Sequence, residues 1–380
     1  MDIVIVGGGY AGVACATRLA HLLRRQGTPA RLRLVNPDGV LVERIRLHQA
    51  ATGQALRRWR LGDLLRPSGV ELVTGSATRI DLQARELYVG GATLHWDRLV
   101  LALGSRSGSG DMPEGALALN PGSSRLLLDR LRSLRPGCRV AVVGGGLTGL
   151  EAVSEIAERF PRLHAHLYPR DRVAAGFSAS GREHILRTLK RLNVAVHEHS
   201  DGAGEAEVCV WAAGFSLPEL PREAGLRVNA AGQVLVDPML RSVSHPCVYA
   251  AGDIAMPVLP PGQPVPMGCK SALPMGAQVG GNLARELSGR ELEAFDYALP
   301  FYCVSLGRRD GLIQWADDTG ALNGPILTGC RAALFKELIC RSTVWSLKLE
   351  SKGRKAIVWK RMGGAPRQTA FTVDWPSARG

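Results

Sequence analysis

Apolar residues in this chain fall into two rhythms. Unbroken runs rich in β-branched residues occupy positions 3–6, 140–143 and 208–211, and a similar run ends the stretch 96–104. A run without a polar face suits a strand covered on both sides, as in a parallel sheet. Further strands are predicted over 31–35, 163–168 and 232–237, and before Gly252. Helical spacing covers 13–23, 123–135 and 331–349. In the last of these, Leu334, Phe335, Leu338, Ile339, Trp345 and Leu349 are expected to share one broad face, made basic by Lys336, Arg341 and Lys348. Two short runs split by Gly90 and Gly91 predict a β-hairpin. Residues 301–315 read as strand, turn, strand, and 356–360 and 369–373 as closing strands. Strands alternating with helices predict an α/β fold.

Two of the strands lead into the same turn. Gly7, Gly9 and Gly12 follow the first run, and Gly144, Gly146 and Gly149 follow the run at 140–143, about 137 residues later. Each set spells G-x-G-x-x-G between a strand and a helix, which is the dinucleotide fingerprint. Its glycines allow a tight turn, close approach to a pyrophosphate and close helix–strand packing, while the helix N-terminus offers unpaired N–H groups. Two such cradles in one chain imply an electron relay, with one cofactor resident and the other exchanging. Small-residue turns at Gly104 and Gly214 close the two units, and the glycines and serines of 104–110 are expected to form a flexible link.

Several side chains near these turns carry two readings. Asn36, at the end of the second strand, stands where an acidic residue usually holds the adenosine ribose. Arg44 and Arg46 suit a pyrophosphate or simple solvation, and His48 a ligand contact or a structural role. Arg170 and Arg172 follow the strand at 163–168, where an arginine accommodates a 2′-phosphate, so NADH and NADPH both stand. Gly252-Asp253 offers a carboxylate to a ribityl hydroxyl or, alternatively, a helix N-cap.

Composition narrows the classes. The chain has 380 residues, 46% hydrophobic and 21% charged, with a formal net charge of +13. That charge suits an anionic cofactor and substrate; no dense basic block interleaved with aromatics points to nucleic acid. Eight scattered cysteines form no C-x-x-C pair, which argues against a disulfide framework, a metal site and a dithiol centre. A strand starting at residue 3 and the lack of a long apolar stretch lead to the expectation of a cytoplasmic protein.

The two fingerprints, Ala102-Leu-Gly-Ser105, Trp211-Ala-Ala-Gly214 and Ala251-Gly-Asp253, taken in order, resemble the flavin-dependent pyridine-nucleotide oxidoreductases with two dinucleotide-binding domains. Within them the chain is similar to the type II NADH dehydrogenase-like branch, over residues 1 to about 310. The resemblance implies two Rossmann-like domains, the second inserted in the first: an FAD domain over 1–110 and 230–296, an NAD(P)H domain over 111–229, and a small α+β interface domain over 297–380. Gly7, Gly9 and Gly12 would hold the FAD pyrophosphate, assisted by Arg44, with Asn36 at the ribose, backbone near Ala77 at the adenine, and Gly252 and Asp253 at the ribityl chain or pyrophosphate. Gly144, Gly146 and Gly149 would hold NADH or NADPH, and Glu151 would lie near nicotinamide and flavin.

The chain also departs from that pattern. Respiratory members carry an Ala-Gln-x-x-Ala-x-Gln-like quinone element where this sequence has residues 267–276, with Lys270 near a glutamine position and Pro274 at a second polar one. Lys270 is expected at the flavin's pyrimidine edge, where it would stabilise negative charge, and it puts quinone as acceptor in doubt. Residues 37–70 hold no cysteine, so electrons would pass directly from flavin to acceptor. Three readings follow: a dehydrogenase serving a quinone or other small acceptor, a biosynthetic flavoenzyme acting on one metabolite, and a non-catalytic dinucleotide sensor. The resemblance leaves a peripheral membrane contact or a homodimer through 297–380 open.

Overall fold

The computed structural model describes residues 1–107, 112–200, 202, 204–257, 265–317 and 321–361. The unbroken apolar runs form the centres of two five-stranded parallel sheets. In the first, the order is Val248–Ala250, Arg98–Leu101, Asp2–Val6, Arg31–Asn36, Glu71–Thr74. In the second it is Leu117–Ala118, Val208–Trp211, Arg139–Val143, His164–Tyr168, Ala195–Val196. Each fingerprint strand is central, with the following strand on one side and the closing strand on the other. Ile3, Val4 and Ile5 have no exposed surface, nor have Val140, Ala141 and Val142, which is why these runs carry no polar face. All strands of the second sheet fall between Arg98–Leu101 and Val248–Ala250 in the chain.

Helix Tyr10–Gln26 starts at the first glycine turn and packs along helix Cys269–Leu287. The contact is close because small residues face each other: a Cβ on Gly276 would sit 2.1 Å from the Ala11 carbonyl oxygen. The expected hairpin is present, Glu86–Val89 pairing antiparallel with Ala92–His95. Phe301–Ser305, Gly311–Trp315 and Ile326–Thr328 form an antiparallel sheet that leads into helix Gly329–Ser351. Val304, Leu306 and Leu312 of that sheet join the core of the second unit, whereas Val344 and Leu347 of the helix join the core of the first. The C-terminal module therefore ties the two units together.

Two expectations are corrected, and a third holds with a difference. Residues 356–360 form no strand; Ala356 and Ile357 instead give their N–H groups to the Glu350 carboxylate. The large apolar residues of the C-terminal helix share one face, as expected, but that face is not the buried one. Leu334, Leu338 and Trp345 are exposed, and burial falls to Ala332, Cys340, Thr343, Val344 and Leu347. Its inner face needs small residues against the sheet, so the bulky ones were a poor guide. Within the stretch 104–110, expected as a link, Arg106–Ser107 pairs with Phe215–Ser216; residues 108–111 and the strand expected at 369–373 lie outside the described residues.

Candidate functional site

Both glycine turns open onto one cleft of about 1060 Å³. Its wall includes Gly9, Gly146, Gly104, Gly214, Gly252 and Asp253, together with Arg44, Arg170, Glu151 and Lys270. Within each turn the glycines divide their tasks. A Cβ on Gly12 would lie 1.8 Å from the Gly7 carbonyl oxygen, and one on Gly149 the same 1.8 Å from Gly144. Gly7 and Gly144 are equally constrained, with φ of +116° and +119° and backbone within 3 Å of any added Cβ. Gly9 and Gly146 have nothing within 4 Å on that side and face the open cleft. Each is the N-cap of its helix and caps no N–H group with a side chain, so the first-turn amides remain available to an anion.

Asp253 is held from two sides. Ser105 Oγ donates to one carboxylate oxygen at 2.7 Å and the Gly268 N–H to the other at 2.9 Å. Arg44 reaches the same region and donates to the Ser105 carbonyl. The structure does not bring Asn36 or Ala77 to the cleft wall. The Asn36 side chain accepts from the Gly8 N–H at 2.8 Å and donates to the Asp38 carbonyl at 2.7 Å, bracing the glycine turn. Ala77 lies in the strand paired with Glu86–Val89. Arg46 turns away to Glu43 and Glu337.

Glu151, in the first turns of helix Leu147–Arg159, is the centre of a buried charge cluster. Lys336 Nζ lies 3.1 Å from Oε1, which also accepts from the Ser305 N–H at 3.2 Å, and His48 Nδ1 lies 3.4 Å from Oε2. Burial pushes the Glu151 carboxyl up, but the Lys336 ammonium and the hydrogen bonds outweigh it and hold the group below the usual carboxylate range. Burial likewise works against the Lys336 charge, and Glu151 more than restores it, so its pKa stands well above that of a free lysine. His48 is lowered to about 4 by burial, against the pull of Glu151, and is neutral at pH 7. Its Nδ1–H then donates to Glu151, which leaves Nε2 as a buried acceptor without a partner on the cleft wall.

Lys270 is the second residue of helix Cys269–Leu287 and sits with Nζ 3.3 Å from the centroid of the Tyr302 ring. Burial lowers it to about 8, with the neighbouring Lys336 acting in the same direction. Apolar side chains of Met267, Pro300, Phe301 and Ile339 complete this end of the cleft, with the thiols of Cys269, Cys303 and Cys340. All eight cysteines are free. Sequence reasoning missed Lys336 as the partner of Glu151, because nothing in a linear pattern pairs residues 185 positions apart. It also passed over Asp171, which lines the cleft between Arg170 and Arg172. Arg170 and Asp171 are both highly exposed, 3.8 Å apart.

Comparison with known proteins agrees with this geometry. Residues 1–276 match the family described as pyridine nucleotide-disulphide oxidoreductase. The chain is 30% identical over 344 residues to an NADH dehydrogenase-like protein of Mycobacterium tuberculosis, covering 80% of this chain and 84% of that one. It is 23% identical over 397 residues to a type II NADH:quinone oxidoreductase of Staphylococcus haemolyticus, covering 91% and 95%. Among solved structures, the sulfide:quinone oxidoreductase of Aquifex aeolicus superposes with a TM-score of 0.77 at 16% identity, covering 94% of this chain and 92% of that one. The NDH2 of Plasmodium falciparum in complex with NADH superposes with a TM-score of 0.73 at 13% identity, covering 92% and 96%.

Proposed function

We propose that this chain, which belongs to the pyridine nucleotide-disulphide oxidoreductase family, is an FAD-dependent NADH oxidoreductase that delivers electrons to a quinone. The observation that carries the reading is the shared cleft: two open glycine cradles, each at a free helix N-terminus, face one volume. The cradles fit dinucleotides, because among the six fingerprint glycines Gly9 and Gly146 alone would carry a Cβ with no protein atom within 4 Å, and they are the ones a pyrophosphate must approach. FAD held in the first cradle would supply the redox chemistry that links a nicotinamide in the second to the acceptor.

The chain's own residues bind, orient and set the charge. Helix Tyr10–Gln26 presents its N-terminal amides to the FAD pyrophosphate, and Arg44 adds a cation beside them. Asp253, fixed by Ser105 and Gly268, keeps lone pairs for a ribityl hydroxyl. Helix Leu147–Arg159 does the same for the nicotinamide dinucleotide. Asp171 favours NADH, since an acidic residue just beyond this strand suits a free ribose hydroxyl better than a 2′-phosphate. Met267, Pro300, Phe301 and Ile339 give the acceptor end an apolar wall suited to a quinone ring. Among the described residues no helix is long and apolar enough to cross a membrane. The exposed Leu334, Leu338 and Trp345 form a stripe suited to a membrane surface or a second copy.

Lys270 supplies positive charge where the cleft must accommodate negative charge. Methionine in its place is expected to slow flavin reduction by NADH about tenfold at pH 7. Raising the pH through a value of about 8 or above neutralises the lysine, so the wild-type rate falls there and the Lys270→Met rate does not. Double-mixing stopped flow reads both steps: NADH first, then a short-chain quinone. Rapid reoxidation by the quinone supports the assignment, and reduced protein that no quinone reoxidises overturns it.

A further inference from the structure

A second cavity, of about 570 Å³, lies away from the dinucleotide cleft at the far ends of helices Tyr10–Gln26 and Cys269–Leu287, closed by residues after the C-terminal helix. Arg18, Arg25, Arg285, Arg290, Lys355 and Arg361 line it, against only two carboxylates, Glu293 and Glu350. Both carboxylates are already committed. Glu350 receives Arg18 at 2.6 and 2.5 Å and the N–H groups of Ala356 and Ile357 at 2.7 and 2.9 Å. Glu293 is paired with Arg285.

Four exposed cations, Arg25, Arg290, Lys355 and Arg361, therefore line the cavity without a carboxylate partner among the described residues, Arg290 bonding the Ser288 hydroxyl on its own loop. Arg25 sits in the last turn of its helix, where a cation also complements the C-terminal dipole. That reason does not cover Arg290, Lys355 or Arg361, which lie outside helices. Four like charges converging on one concavity repel each other, and the repulsion is relieved when an anion enters. The wall also holds two polar side chains, His21 and Gln278, and an apolar part made of Leu22, Ile357, Val358 and Trp359. Val358 is 75% exposed, and the Trp359 indole is fixed by a 2.8 Å hydrogen bond from Nε1 to the Asp296 carbonyl. Cationic forks beside a fixed aromatic ring and an aliphatic surface suit a phosphate joined to an organic body better than inorganic phosphate alone.

We infer that this cavity is a second ligand site, for a phosphorylated organic anion, separate from both dinucleotide cradles. Such a ligand bridges the tail to the two helices whose N-termini reach the cleft. Two sources share this chemistry, a free nucleotide and the headgroup of an anionic lipid. The test is calorimetric titration of the FAD-loaded protein, saturated with NAD⁺ to fill the nicotinamide cradle, in about 150 mM salt to screen loose surface binding. ATP is one probe and dihexanoyl phosphatidylglycerol the other; whichever binds identifies the source. Saturable binding of either is expected to weaken at least about tenfold in Arg25→Glu/Lys355→Glu and to survive in Arg25→Lys/Lys355→Arg. Flavin content and melting temperature, measured alongside, should be the same in all three proteins. Absence of saturable binding for both probes, or equal affinity in the charge-reversed variant, overturns the inference.

Discussion

Gly9→Ala is expected to give a folded protein that holds its flavin far more weakly, and Gly146→Ala a yellow protein that needs far more NADH to be bleached. Both residues have ordinary extended backbone, with φ of −80° and −75°, so alanine imposes no conformational strain. Neither added methyl meets a protein atom within 4 Å. Each methyl instead occupies the space through which a pyrophosphate approaches the helix N-terminus. Overpacking of this kind costs about 1–3 kcal/mol, or roughly 5- to 150-fold in affinity. Melting curves of the apoproteins should be unchanged, with FAD affinity falling in the first variant and NADH affinity in the second. Gly12→Ala serves as the contrast. Its methyl would press on the Gly7 carbonyl at 1.8 Å, backbone that cannot yield, so that variant loses stability before any ligand is considered.

Glu151→Ala is the substitution expected to cost most in stability. It leaves the Lys336 ammonium buried, 12% exposed, and removes its carboxylate at 3.1 Å. Breaking one side of a buried pair typically costs about 3–5 kcal/mol, because the remaining charge has neither partner nor water. Glu151→Gln/Lys336→Met removes both charges together and should recover most of the loss, seen as a return of the denaturation midpoint. The double variant also separates two roles. If stability returns and flavin reduction stays slow, the Glu151 carboxylate acts on the cofactors as well as on the fold. If both return, the pair serves only to join the second unit to the C-terminal helix.

Much of the fold was legible because its signals are local. The apolar runs and the two glycine turns each sit within about a dozen residues, and steric rules alone demand glycine at Gly12 and Gly149. The hairpin at Gly90 and Gly91 was legible for the same reason. The site was less so. The Glu151 cluster draws His48, Glu151, Ser305 and Lys336 from four separate elements, and only tertiary packing joins them. Asn36 reads as a ribose ligand from its place at a strand end, and only the fold shows that its side-chain oxygen also accepts from Gly8 in the glycine turn while its NH2 donates to Asp38. The C-terminal helix misled because hydrophobic spacing does not say which face meets a sheet close enough to require Ala332 and Cys340.

The central claim is that one cleft brings a nicotinamide against a resident flavin, and anaerobic mixing of the purified protein with NADH tests it most directly. The account predicts yellow protein whose visible flavin absorbance is bleached stoichiometrically by NADH in the wild type, with Gly146→Ala needing far higher NADH for the same bleaching. Wild-type protein that binds NADH tightly while its flavin stays oxidised would contradict it.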